Sequence, residues 1–191
     1  MNKKYKIIYA DPPWRYDSYS LNKGGAARHY NTMSNEEIIA MPIDEIADEN
    51  SVLIIWATFP KLQEALDVIK GWGFKYKTCA FVWIKTNKRT SVKQTSFVPQ
   101  DSFDSFMGMG SYTRSNAEIC LLGIKGKPKR LSNKVRQIIY SPLQRHSEKP
   151  AETRERIVEL FGDLPRIELF ARESPEGWDV FGNEVKSDVK L

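Results

Sequence analysis

Apolar positions along this chain fall into two patterns. Six short runs are apolar at nearly consecutive positions and rich in β-branched or aromatic residues: 6–10, 51–57, 74–85 (centred on 80–84), 118–124, 135–140 and 166–171. Runs of this kind predict strands, most of them buried on both faces as in a parallel sheet. Between them lie three helical patterns. Ser34-Asn35-Glu36-Glu37 has the spacing of a capping box, and Pro42 stops the short helix it opens. A second helix starts at Pro60, with Leu62, Leu66, Ile69 and Trp72 on one face and Gly71 and Gly73 at its exit. A third opens at Pro150, carries Ile157, Val158, Leu160 and Phe161, and ends at Gly162.

Two stretches have no apolar period. Residues 15–33 are dominated by Ser, Asn and Gly, and residues 86–111 are long and polar. Loops of that length in a compact domain are usually functional or disordered. The alternation of strand and helix predicts an α/β fold, a doubly wound sandwich of one domain over residues 1–191. Ligands bind such sheets beyond the carboxyl ends of the strands. That rule points at Asp11 to Trp14, Ala57-Thr58, Lys85 to Asn87 and Ala171 to Ser174.

Composition narrows the class. The chain has 191 residues, 41% of them hydrophobic and 28% charged, so a sizeable core can form without staples. No apolar run approaches the roughly 20 residues of a membrane span, and the N-terminus lacks the pattern of a secretory leader. Cys79 and Cys120 sit in apolar runs without zinc spacing and read as reduced core residues. A cytoplasmic location is expected, in the host cell if the chain is phage-encoded.

The net charge of +5 is unevenly spread. Residues 85–100 hold Lys85, Lys88, Arg89 and Lys93 and no acid; residues 119–147 hold Lys125, Lys127, Lys129, Arg130, Lys134, Arg136 and Arg145 and no acid. These windows carry 11 of the 29 basic residues and leave the remainder net acidic. Such separation suits a polyanionic partner, although solvated loops give the same pattern. In that reading Lys88, Arg89, Lys93, Lys125, Lys127, Lys129 and Arg130 touch phosphates.

Asp11-Pro12-Pro13-Trp14 follows the first strand directly, and the two prolines end it. Asp11 offers a carboxylate, Pro12 a carbonyl on a stiff backbone, and Trp14 a flat π-face. Two acceptors and an aromatic suit a planar group bearing an NH2, such as a nucleobase with an exocyclic amine. Accepting both N–H bonds would favour a pyramidal nitrogen with its lone pair turned outward. The same four residues could equally be a strand-ending turn.

The motif resembles the active-site segment of the MT-A family of adenine methyltransferases. That family includes eukaryotic messenger-RNA enzymes and small phage and bacterial members. Further segments match in order: Trp83-Ile84-Lys85-Thr86-Asn87, Gly110 to Glu118 with Leu121 to Gly126, His146-Ser147-Glu148-Lys149-Pro150, Ile167 to Arg172, and Gly182-Asn183-Glu184. Together they span residues 6–185, and several short motifs in fixed order are far more specific than one.

The resemblance implies a Rossmann-like methyltransferase sheet in circularly permuted order, with the catalytic strand first and the cofactor strand last. It implies S-adenosylmethionine as methyl donor and adenine N6 as acceptor. Asp11, Pro12, Pro13 and Trp14 would be catalytic. Asp11, Lys149, Glu168, Phe170, Arg172, Asn183 and Glu184 would contact the cofactor. Residues 173–175 depart from the messenger-RNA members. The cofactor strand is followed by Leu169-Phe170-Ala171-Arg172 without glycine, so side chains rather than a bare backbone nest would hold the cofactor.

Substrate contacts are expected from Tyr16, Lys85, Asn87, Tyr112 and Arg114. His146 reads better as a turn residue, and Trp56, Trp83 and Trp178 as packing residues. A sulfonium donor needs no metal, and no metal ligand set is visible in the sequence. The expected partner is nucleic acid, DNA before RNA, read by residues 15–33 and 86–111 alone or in a homodimer. The competing reading is a catalytically silent subunit that binds nucleic acid beside an active partner; an intact Asp11 argues against it.

Overall fold

A computed structural model of the chain describes residues 3–16, 32–87, 106–108, 112–144 and 148–191. Seven strands form one sheet: β1 (Tyr5–Ala10), β2 (Ala47–Ala57), β3 (Lys75–Thr86), β4 (Ala117–Lys125), β5 (Ile138–Pro142), β6 (Arg166–Leu169) and β7 (Asp179–Phe181). Their spatial order is β5-β3-β4-β2-β1-β6-β7. β1 pairs in parallel with β2 and β6, β6 with β7, and β3 with β5. β4 runs antiparallel to both of its neighbours, β2 and β3.

The two-residue period of the strands sorts the core into two layers. Ile8, Leu53 and Ile55 face helices α1 (Asn35–Ile39) and α2 (Leu62–Gly71), meeting Ile38, Ala65, Val68 and Trp72. Ile7, Tyr9, Val52 and Ile54 face α3 (Glu152–Phe161), meeting Ile157 and Phe161. Helices therefore cover both faces, giving the doubly wound, Rossmann-like architecture expected. The first strand and the late strand β6 lie side by side, as the permuted order requires.

Local signals explain most element boundaries. The capping box is present in full: Glu37 N–H donates to Ser34 Oγ, and Ser34 N–H donates to Glu37 Oε2. Three expectations need correction. Leu62 lies on the exposed rim of α2, and the buried stripe is Ala65, Val68, Ile69 and Trp72. A single 3-10 turn over Phe59–Lys61 precedes the helix and shifts its phase. The strand expected over 135–140 begins only at Ile138, where pairing with Val82 starts. β7 was not expected, because three residues are too few to show a period.

The carboxyl ends of β1, β2, β3 and β6 gather at one edge of the sheet. Ala10 is level with Ile55 and Leu169, and Ala57 with Ile119. The reversed strand β4 begins at this same edge, which brings its second residue, Glu118, to the strand tips. Among the described residues no helix is long and apolar enough to cross a membrane.

Candidate active site

Asp11 leaves the tip of β1, and the next residues are held by backbone bonds rather than by a loop of free shape. Trp14 N–H donates to Pro12 O at 2.9 Å, Met33 N–H to Pro13 O at 2.9 Å, and Arg15 N–H to Met33 O at 3.1 Å. Two prolines in sequence restrict φ further. The Trp14 indole N–H donates to Trp56 O at 3.1 Å, locking the tip of β1 to the end of β2. Trp56 in turn donates its own indole N–H to the Tyr9 hydroxyl at 2.6 Å.

Asp11 stands where two clefts meet. The smaller is lined by Pro12, Trp14, Tyr16, Trp56, Thr58, Glu118 and Lys149 beside Asp11. The larger, about 640 Å³, is lined by Asp11, Lys149, Arg154, Glu168, Phe170, Arg172, Glu173 and Glu184, among others. Asp11 and Lys149 are common to both.

Charge at this junction is arranged as a ladder. The Lys149 ammonium lies 2.8 Å from Asp11 Oδ2 and 3.4 Å from Glu118 Oε2. The Lys85 ammonium lies 2.5 Å from Glu118 Oε1. The Lys149 and Glu118 side chains are only 9% and 12% exposed, so their charges are poorly screened by water. Burial pushes the Asp11 carboxyl above its ordinary value, and the neighbouring Lys149 pulls it only part of the way back. Burial opposes the Glu118 charge too, but Lys149 and Lys85 together hold that carboxyl below its ordinary value. Burial likewise opposes the Lys149 charge, and the two carboxylates outweigh it and raise its pKa.

A second ion network lines the larger cleft. Arg154, from α3, donates Nε to Glu168 Oε2 at 2.6 Å and a terminal nitrogen to Glu168 Oε1 at 3.1 Å. Its other terminal nitrogen donates to Glu173 Oε1 at 2.9 Å. Burial raises the pKa of Glu168 despite that pairing. Arg172 Nε donates to Glu184 Oε1 at 2.9 Å. Phe170 turns the chain out of β6 with φ +61°, a conformation that favours glycine.

Most of the expected site residues converge. Asp11, Pro12, Trp14, Tyr16, Lys149, Glu168, Phe170, Arg172 and Glu184 all line one of the two clefts. Tyr16 reaches Thr58 Oγ1 at 2.7 Å. Pro13 is the centre of the turn, and Asn87 follows β3 at the same edge. Trp56 and Trp83 are core residues, both 1% exposed, and Trp178 packs its ring edge-on against Tyr9.

The remaining expected residues are placed as follows. Trp14 is 6% exposed, so it is first an anchor of the tip and offers the cleft only a narrow face. Lys85 is engaged by Glu118 rather than open to substrate. Tyr112 and Arg114 are exposed and line neither cleft, and Asn183 is exposed beside Glu184 without lining the larger one. Lys125 ends β4, and Lys127, Lys129 and Arg130 follow it, at the end of the sheet opposite both clefts. His29, His146, Tyr19, Tyr30, Lys88, Arg89 and Lys93, with most of 15–33 and 86–111, lie outside the described residues.

Two residues of this site were missed as site residues. Glu118 had a signal, a lone carboxylate opening an otherwise apolar strand. Arg154 had none, since an arginine on an amphipathic helix reads as a solvated face.

Comparison with known proteins agrees with this geometry. The family model MT-A70 matches residues 5–184. A Type II methyltransferase, M.MunI, from Mycoplasma sp is 33% identical, covering 96% of this chain and 78% of that protein. A putative N(6)-adenosine-methyltransferase MT-A70-like protein of Medicago truncatula is 26% identical, covering 98% of this chain and 27% of its own. The human N(6)-adenosine-methyltransferase catalytic subunit METTL3 is 24% identical, covering 95% of this chain and 28% of its own. The chain thus spans about a quarter of the length of these two eukaryotic relatives.

Proposed function

This chain belongs to the MT-A70 family, and from that membership we propose that it transfers a methyl group from S-adenosylmethionine to the N6 amine of adenine in DNA. The observation that supports this most directly is the position of Asp11 at the junction of two clefts. A group shared by two sites can touch both the donor and the acceptor of the methyl group. A silent binding subunit would have no need of a paired carboxylate there. The preference for DNA over RNA follows the similarity to M.MunI.

The larger cleft fits the methyl donor by its chemistry. Asp11, Glu168, Glu173 and Glu184 face Lys149, Arg154 and Arg172, so carboxylates are available for an ammonium and hydroxyls, and cations for a carboxylate. When bound, S-adenosylmethionine supplies an electrophilic methyl on a positively charged sulfur. The residues expected to hold it are Asp11, Lys149, Glu168, Phe170, Arg172 and Glu184, with Asn183 beside them.

The chain's own contribution is alignment and proton handling. The target adenine presents its amine at the smaller cleft beside Pro12, Trp14 and Tyr16; the cleft's volume of about 30 Å³ admits the amine edge and not the whole base. Asp11 accepts one N–H of the amine. Pro12 O already receives the Trp14 N–H and has a second lone pair for the other. Both N–H bonds point to fixed acceptors, and the nitrogen lone pair is left for the methyl. After transfer the nitrogen loses a proton, and Asp11, with its raised pKa, is the nearest base. Lys149 keeps Asp11 ionised until then. A base in a duplex must be flipped out to reach so enclosed a site.

The test uses methyl-labelled S-adenosylmethionine with matched DNA and RNA oligonucleotides, and with DNA in which every adenine is replaced by N6,N6-dimethyladenine. Label in adenine-containing DNA only is expected. Label in RNA alone overturns the DNA preference, and label in the dimethyladenine DNA overturns the acceptor.

A further inference from the structure

β4 runs against the other strands, and this carries the basic stretch beyond it to the end of the sheet opposite the clefts. Glu118 and Lys125 are seven residue steps apart along the strand, about 23 Å at roughly 3.3 Å per step. Lys75 pairs with Ile124 and Lys125 with Ser51, so both lysines stand at this rear end. Lys70 closes α2 at the same end, and Lys77 follows in β3.

The turn beyond Lys125 is tightly built. Gly126 has φ +63°, and a Cβ there would lie 2.2 Å from Glu49 O. Lys127 N–H donates to Asn50 Oδ1 at 2.8 Å. The chain then crosses to the end of α3, where Leu131 N–H donates to Leu160 O at 2.9 Å. These constraints hold the lysines in one region rather than on a loose tail.

Some cations elsewhere are matched, such as Lys3 by Asp179, Lys61 by Glu64 and Arg172 by Glu184. Among the described residues Lys70, Lys75, Lys77, Lys125 and Lys127 form no ion pair. Two acids open β2 nearby: Asp48, which accepts the Asn50 N–H, and the exposed Glu49. Tyr76 is 44% exposed between Lys75 and Lys77. Neighbouring unmatched cations repel one another, and a polyanion relieves that repulsion while releasing its counterions.

We infer that the rear end of the sheet is a second, sequence-independent contact surface for the sugar–phosphate backbone of DNA, separate from the cleft that takes the target base. This rests on DNA being the substrate, as proposed above. A separation of about 23 Å corresponds to about 7 base pairs at ~3.4 Å per pair. A long substrate can touch both surfaces, and a very short one cannot.

The experiment measures binding of a fluorescent 40-base-pair duplex against salt, without cofactor, for the native chain and for Lys75→Glu/Lys125→Glu/Lys127→Glu. The variant is expected to flatten the slope of log K against log salt by about 2–3, nearly one per lost phosphate contact. In methyl transfer, its KM for the duplex should rise at least fivefold, with kcat and the KM for a 5-nucleotide single strand unchanged. An unmoved slope, which a surface for an acidic protein partner would also give, overturns the inference. So does an equal rise in KM on the short strand. Lys75→Gln/Lys125→Gln/Lys127→Gln removes the same three charges and gives the same slope change if the first variant does not fold. Native transfer with an unmoved slope sinks this surface alone. No transfer with a flattened slope sinks the proposed activity alone.

Discussion

Lys149 lies 2.8 Å from Asp11 and 3.4 Å from Glu118, so one buried ammonium joins the first strand of the sheet to the reversed one. It arrives from just before α3, 138 residues away in sequence from Asp11. The pairing sets the ionisation of the residue on which the proposed chemistry depends. Burial raises the Asp11 pKa, and activity needs the ionised form, so the rate should fall as pH drops through that raised value. The acid limb of kcat/KM is therefore expected above the ordinary aspartate value of about 3.9. In Lys149→Met the counter-charge is lost and the limb should move further up. A limb that stays in place in the variant would show that Lys149 does not control Asp11.

Asp11→Asn keeps the size of the side chain and removes its charge. If the carboxylate both accepts the amine proton and orients the nitrogen, transfer should fall by at least a hundredfold, the scale of losing a pre-organised polar group. Burial already opposes the Asp11 charge, and Lys149 keeps its pair with Glu118 in the variant, so the melting temperature should change little. Labelled-methyl incorporation and thermal melting on the same sample check both halves.

Glu118 serves two lysines, and removing it takes from Lys85 its ion-pair partner and leaves Lys149 facing Asp11. Glu118→Gln should cost about 3–5 kcal/mol, the usual loss when one partner of a buried pair is deleted. The pH dependence has a definite sign. The folded-state pKa of Glu118 is depressed, so its stabilisation is complete above the unfolded value of about 4.3 and disappears as pH falls through the folded value. The gap in stability between the native chain and the variant, from denaturant melts, should be constant near neutral pH and close in acid. A gap that persists at low pH would mean that the glutamine disturbs packing instead.

Trp14 separates two roles that its position combines. Its indole N–H bonds to Trp56 O, and its ring is almost entirely buried. Trp14→Phe removes the donor and leaves Trp56 O without it, for about 1 kcal/mol. Trp14→Ala also opens a cavity, for about 3–5 kcal/mol. If the ring mainly anchors the tip, kcat should follow stability across the two variants. If it stacks on the base, KM for DNA should rise in Trp14→Ala while remaining near native in Trp14→Phe.

The sheet was legible because each central strand is buried on both faces, which writes an unbroken apolar run into residues such as Val52 to Trp56. The strand tips were legible for the same reason, since the end of a run locates a tip. What the sequence did not show is direction. Nothing in the run around Ile119 to Ile124 states that β4 is reversed, because a buried strand looks alike read either way. That one reversal brings Glu118 into the site and sends Lys125 to the far end. Pairings between distant residues were hidden as well. Arg154 and Glu168 meet only because α3 packs over β6; Glu168 was expected at the site, but Arg154 looks like an ordinary surface charge in its own segment.

Phe170 gives a last test of how the larger cleft is used. A non-glycine residue at φ +61° stores roughly 1–2 kcal/mol of backbone strain. Its ring is only half-buried against the core, so packing returns a similar amount. Phe170→Asn relieves part of the strain, because asparagine tolerates this conformation, and it loses the ring. The two effects should cancel to within about 1 kcal/mol in thermal stability. Binding of S-adenosylmethionine has no such compensation if the ring stacks on the adenine of the donor. By calorimetry its Kd should rise about tenfold or more, the size of one lost aromatic stack. An unchanged Kd beside unchanged stability would place the donor elsewhere in the cleft, against Arg172 and Glu184 alone.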